Sequence, residues 1–348
     1  MNQKVLGLLR LIRFSNTPTA VADIVAGYLL AVGTIVEWPP LVALALCSVC
    51  LYSFGMVLND LNDLEEDRTN NPGRPLVTGI VSLAEARGIA GMLVAVAVLS
   101  AIVAGWLFQT EIVGDERLGS KGGVVIPPWS WSLIMAVGLI LSIWLYDGPL
   151  KRSFVAPFVM GSCRGLNLLL GASLPALTVM DLEPATTILV GPWTYWTTDV
   201  WVCALAMTSY VTGITWYARS ESSGPQRWHL CLGLFFLGLG IFILAFGLIF
   251  LEDRPLGRAS IGTWKKFEIW WPLAMCLLAY GGIRRAINGV LVASEKAVRT
   301  AIITALGSLV LLNGAICLYA NPQQWQVALA VAALMIPIKY LRSAIPPT

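Results

Sequence analysis

The chain has 348 residues, of which 57% are hydrophobic and only 12% charged, about half the roughly 25% charged content of an ordinary soluble domain. That balance excludes a soluble globular protein. The formal charge of +3 comes from basic residues spread over many segments, which argues against a nucleic-acid partner. Apolar runs of the roughly 20 residues needed to cross hydrocarbon as a helix recur along nearly the whole length, so residues 1–348 read as a single integral membrane domain. The runs are continuous instead of alternating, which predicts helices and not a barrel.

Ten spans are predicted, at 17–36, 40–58, 84–108, 129–146, 154–177, 199–218, 229–251, 267–291, 298–319 and 323–341. The first follows Lys4, Arg10 and Arg13 without a convincing cleavage site, so it is expected to remain as a membrane helix. The second carries Cys47 and Cys50 in mid-helix without partner histidines, where cysteine serves as a small apolar packing residue. It ends in the most unusual stretch of the chain, Asn59-Asp60-Leu61-Asn62-Asp63-Leu64-Glu65-Glu66-Asp67.

If that helix continues, Asn59, Asp63 and Asp67 fall on one face at four-residue spacing, with Asp60 beside them. Crowded carboxylates repel unless protonated or bridged by a cation, and oxygen donors of this kind suit Mg²⁺, which completes its shell with water and phosphate oxygens. The implied ligand is a phosphorylated or diphosphate compound. A solvated acidic turn is the plainer alternative, and it is the reading for Glu65 and Glu66. Arg74, in the turn Asn70-Asn71-Pro72-Gly73-Arg74-Pro75-Leu76, presents a guanidinium fork able to grip phosphate oxygens.

The fourth span, preceded by Pro127-Pro128-Trp129-Ser130-Trp131, runs into Tyr146-Asp147-Gly148-Pro149-Leu150-Lys151-Arg152. That turn adds a phenol and two cations, which positive-inside anchoring also explains. In the fifth span Gly161-Ser162-Cys163-Arg164-Gly165-Leu166-Asn167 places an arginine where charge is costly. Arg164 is expected to face a cavity and an anionic partner, with Asn167 on the same face; pairing with backbone carbonyls is the structural alternative. The glycines allow close helix approach. The sixth span ends Tyr217-Ala218-Arg219-Ser220-Glu221. Trp193, Tyr195, Trp196, Trp270 and Trp271 read as interfacial anchors, and Asn313 as a hydrogen-bonding residue between helices.

With the N-terminus inside, sixteen basic residues fall in inside segments and six outside, Arg164 being within a span. This satisfies the positive-inside rule. Both termini and the Asp-rich segment are therefore expected on the cytoplasmic side, in the cell membrane.

The pattern Asn59, Asp60, Asp63, Asp67, followed by Arg74-Pro75-Leu76 and then by Tyr146 with Leu150-Lys151-Arg152, resembles the UbiA superfamily of intramembrane prenyltransferases. The resemblance implies an all-α bundle of nine to ten transmembrane helices around a central cavity. It also implies Mg²⁺, a prenyl diphosphate and a lipophilic acceptor, often an aromatic or cyclic compound, between which a prenyl group passes. On it, Asn59, Asp60, Asp63, Asp67 and Glu221 are metal ligands. Asn59, Arg74, Lys151, Arg152, Asn167 and Arg219 bind diphosphate, while Tyr146, Lys151 and Arg164 act at the reacting centre. The family's second Asp-rich motif, in the sixth span, is altered here: Tyr217 and Glu221 keep the spacing, and only Glu221 is an acid. That change, with Arg-Gly-Leu-Asn-Leu-Leu-Leu-Gly at 164–171, resembles the EboC-type branch. A non-catalytic carrier of prenyl lipids or a secondary metabolite on the same scaffold is the competing reading.

Overall fold

The computed structural model describes residues 2–35, 38–108, 128–174, 196–222, 224, 226–249 and 261–345. The ordered elements are helical throughout these residues, with no strand among them. In chain order they are α1 (Gln3–Leu11), α2 (Thr17–Val32), α3 (Trp38–Asn62), α4 (Leu64–Asn70), α5 (Leu83–Leu107), α6 (Pro128–Asp147), α7 (Ala156–Gly171) and α8 (Thr198–Ser222). These are followed by α9 (Arg227–Phe242), α10 (Ile261–Val292), α11 (Glu295–Ala320), α12 (Trp325–Ala333) and α13 (Met335–Ala344). Among the described residues, seven helical stretches are long and apolar enough to cross a membrane. The protein is an integral membrane protein.

Each predicted span contains a helix, but two details differ from the sequence reading. The last predicted span is two helices that break at Leu334. Pro337 explains the break: it has no N–H to donate toward Ala333, and its ring crowds that carbonyl. The other difference lies before the first span. Residues 3–11 form a short amphipathic helix, and Leu11 packs with Val57, Leu76, Val81, Ala86 and Ala90 in a small satellite core. Ser82 starts α5 with a capping box closed by Glu85, and Glu85 also pairs with Lys4 of α1 at 2.5 Å.

Helices α2, α3, α6, α7, α8 and α11 surround a central cavity of about 340 Å³, to which each contributes side chains. Close approach of α2 and α7 depends on glycine. A Cβ at Gly171 would lie 2.9 Å from the Ile24 Cα, and one at Gly27 would collide with the Leu168 carbonyl. The same holds between α7 and α8, where Gly161 and Gly165 sit against Thr208 and Thr212. Large apolar side chains such as Trp106, Leu277 and Leu291 point outward from the bundle, as a lipid-facing surface requires.

Candidate active site at the mouth of the bundle

The Asp-rich segment lies where α3 ends. The helix is interrupted at Asp63, yet the Asp63 N–H still donates to the Asn59 carbonyl at 2.9 Å and the Asp67 N–H to the Asp63 carbonyl at 2.8 Å. Helical spacing therefore survives the break, and the acids divide into two groups. Asp60 and Asp67, both buried, are bridged by the Arg74 guanidinium at 2.9 and 2.5 Å. Asn59 and Asp63 turn toward the α6–α7 connection, where the Lys151 ammonium donates to them at 3.0 and 2.5 Å. Two distant turns of the sequence thus close on one short motif.

Arg13 joins them, its guanidinium 3.7 Å from Asp60. Its backbone is left-handed, with φ at 46°, an uncommon conformation for a residue with a side chain and one that clusters at functional sites. Sequence reading counted Arg13 only as topological charge. A kink between two short helical pieces, α1 and the turn at Phe14–Asn16, carries no periodic signal.

The other expected residues distribute as follows. Tyr146 lines the cavity just inside the mouth, within electrostatic range of Asp63 and Arg219. Arg152 stays solvated, its side chain 94% exposed and 3.9 Å from Glu66. Arg219 donates to the Lys151 carbonyl at 3.1 Å and to the Ser153 carbonyl, and its guanidinium lies over the Trp216 ring. It thereby ties α8 to the turn that presents Lys151. Tyr217 is buried and donates to the Ala286 carbonyl at 2.6 Å, so its phenol serves packing between α8 and α10. The Glu221 side chain lies outside the described residues.

Arg164 and Asn167, expected at the reacting centre and the diphosphate, line the cavity and are joined to a deeper polar group. Arg164 donates to the Asp23 carboxylate at 2.5 Å and to the Thr19 carbonyl at 3.1 Å. Asn167 donates to Asp23 at 3.0 Å and accepts from Ser48 at 2.7 Å, and Asn313 donates to the other Asp23 oxygen at 2.7 Å. Asn167 lies eleven residues into α7, about 16 Å along a helix axis from its start. Sequence reading found the arginine and missed its partner. The signal was present, since an acid within a predicted span incurs the same cost as a base. Asp147 was missed as well. It is 5% exposed and lines the cavity mouth.

The donor set at the mouth is oxygen only, with positive charge supplied here by Arg74, Lys151 and Arg13. Among the described residues no three acid, histidine or cysteine side chains converge on one point. An all-oxygen donor set is the kind suited to a hard cation that takes one or two carboxylates and completes its shell with water and phosphate oxygens. Below the mouth the walls turn apolar, with Leu51, Met56, Ile143, Met160, Ile214 and Leu306. The arrangement can hold an anionic head at the mouth while a hydrocarbon chain occupies the cavity.

Fold and site together define a class: a polytopic helical membrane protein built around a charged mouth and a greasy cavity. Comparison with solved structures shows that this is the UbiA fold. The apo structure of a UbiA homolog from Aeropyrum pernix matches with a TM-score of 0.58 at 18% identity, covering 87% of this chain and 97% of that one. A UbiA homolog from Archaeoglobus fulgidus, solved bound to GPP and Mg²⁺, matches with a TM-score of 0.52 at 13% identity over 86% and 99% of the two chains. Residues 20–113, which contain the Asn59 to Asp67 motif and Arg74, match the model of the UbiA prenyltransferase family. That segment is thus similar to the UbiA prenyltransferase family, and the chain as a whole shares the fold of the UbiA homologs. A digeranylgeranylglyceryl phosphate synthase of Methanoculleus marisnigri is 38% identical over 151 residues, 43% of this chain and 44% of the relative. The match thus spans less than half the length of that curated relative.

Proposed function

We propose that this protein transfers a prenyl group from a prenyl diphosphate to a hydrophobic acceptor within the membrane. The observation that carries the reading is the mouth itself, where Asp60, Asp63 and Asp67 are held by Arg74 and Lys151 above an apolar cavity. The match of residues 20–113 to the UbiA prenyltransferase family model supports it, as does the shared fold with a homolog solved bound to GPP and Mg²⁺. Asn59, Asp60, Asp63 and Asp67, with Glu221 as a further candidate, would hold Mg²⁺, which when bound neutralises charge developing on the leaving diphosphate. Arg74 and Lys151, with Arg152 and Arg219 at the rim, steer and grip phosphate oxygens.

In the transfer, the allylic C–O bond breaks with its electron pair leaving on diphosphate, the acceptor bonds to the allylic carbon, and the acceptor's proton is lost. The Tyr146 ring lines the wall where positive charge would develop on the allylic carbon. The apolar lining excludes the water that would otherwise capture that carbon. Arg164 and Asn167, held by Asp23, form a polar layer below that positions the acceptor. The acceptor is hydrophobic and cyclic or aromatic, and the named relative makes a glyceryl phosphate lipid the alternative to test. The distribution of basic residues supports a site on the cytoplasmic side of the cell membrane.

The test is release of inorganic diphosphate from prenyl diphosphates of different length by the purified protein in lipid nanodiscs, with Mg²⁺ and either an aromatic or a glyceryl phosphate acceptor. Asp63→Asn is expected to lower turnover at least a hundredfold with the protein still folded. Absence of turnover with every donor and acceptor would count against the enzyme. It would favour a non-catalytic carrier of prenyl lipids or a secondary metabolite on the same scaffold, a reading to which the packing role of Tyr217 gives weight.

A further inference from the structure

The acids of the α3 motif are each matched by a cation: Asp60 and Asp67 by Arg74, Asp63 by Lys151. Asp147, the last residue of α6, is different. It is 5% exposed, its Oδ1 has no hydrogen-bond partner, and it makes no ion pair among the described residues. Its position is fixed by backbone, since the Asn62 side chain donates to the Asp147 carbonyl at 3.0 Å. That bond pins the end of α6 to the residue preceding Asp63. The charges that face Asp147 are those of Lys151 and Arg13, both engaged by other acids, and of Asp63 and Asp60, which repel it. Cys163 of α7 lies in range too, while the neighbouring Tyr146 offers only a phenol.

A buried carboxylate without a partner is expensive unless it is neutralised or receives a counter-ion. This one lines the cavity and is tied through Asn62 to the acid motif at the end of α3. On α8, the acid at the place of the second motif is Glu221, whose side chain lies outside the described residues. Tyr217 is committed to packing and Arg219 to the carbonyls of the α6–α7 turn.

We propose that Asp147 completes a second divalent-cation site at the mouth, shared with Asp63 and the diphosphate oxygens, so that α6 contributes a carboxylate beside those of the α3 motif. Two carboxylates with phosphate oxygens and water satisfy an octahedral Mg²⁺. The ion would give Asp147 the counter-charge that the protein alone does not provide. The inference rests on the reading of the mouth as a prenyl diphosphate site.

The experiment is titration of the full chain in nanodiscs with Mn²⁺ in the presence of inorganic pyrophosphate, followed by electron paramagnetic resonance. Wild type is expected to bind two Mn²⁺ per chain with a spin-coupled signal, and Asp147→Asn one, with the coupling gone. Asp147→Glu is expected to retain two. Two ions in Asp147→Asn, one ion in wild type, or loss of the second ion in Glu221→Gln but not in Asp147→Asn would each overturn the assignment and leave the proposed function standing. Wild type that binds no Mn²⁺ with pyrophosphate would overturn both. Were the Asn side chain to disturb the mouth so that both ions are lost, Asp147→Glu decides: two ions uphold the assignment and fewer overturn it.

Discussion

At the scale of single residues, the molecule holds two polar groups with different tasks. At the mouth, Arg74 touches two acids fourteen and seven positions before it, so one side chain sets the spacing of the motif. Deeper in, Asp23 is 1% exposed and receives Arg164, Asn167 and Asn313 from α7 and α11. Truncating one member of such a buried pair strands the other's charge, at a cost of about 3–5 kcal/mol, whereas replacing both by apolar residues of similar volume is often neutral. Asp23→Ala is therefore expected to lower the thermal stability of the detergent-solubilised protein sharply. The double variant Asp23→Leu, Arg164→Met is expected to recover most of it. A double variant as unstable as the single one would show that the pair contributes net stability.

At the scale of elements, the spacing of small residues matters as much as apolar length. Helices α2 and α7 meet where Gly27 faces Leu168 and Gly171 faces Ile24, in each case backbone against backbone. Because a backbone cannot rotate aside as a side chain can, Gly171→Ala forces the helices apart. The expected cost is about 1–3 kcal/mol, read as a lower midpoint of thermal unfolding. The displacement also shifts Arg164, Asn167 and the polar layer they form, so binding of a prenyl diphosphate should weaken together with stability. Unchanged stability would mean that the interface yields elsewhere. The helices themselves were legible, since an apolar run has one stable solution in lipid. The break at Leu334 was also within reach, through Pro337. The kink at Arg13 was not, because a single left-handed residue between short helical pieces leaves no period to detect.

At the scale of the whole molecule, the charge distribution and the site make one joint prediction. The exposed Arg152 and Glu66 lie at the same end of the bundle as Asp63 and Lys151. A cysteine introduced at either position, in a background lacking exposed Cys231 and Cys276, should react with an impermeant maleimide only from the cytoplasmic face of oriented vesicles. Labelling from the other face would reverse the orientation and place diphosphate on the wrong side for a cytoplasmic supply.

What the sequence determined by itself was the class of fold and the acid motif at one helix end. Apolar length dictates helices, and an acid motif at one helix end dictates a demand for counter-charge, both short-range properties of the chain. What only the tertiary structure decided was the pairing. Asn59 and Asp63 meet Lys151 across some ninety residues, Arg164 spends its charge on Asp23, and the buried Asp147 Oδ1 has no hydrogen-bond partner among the described residues. A buried charge is defined by what surrounds it, and in a bundle the surroundings come from helices far apart in sequence.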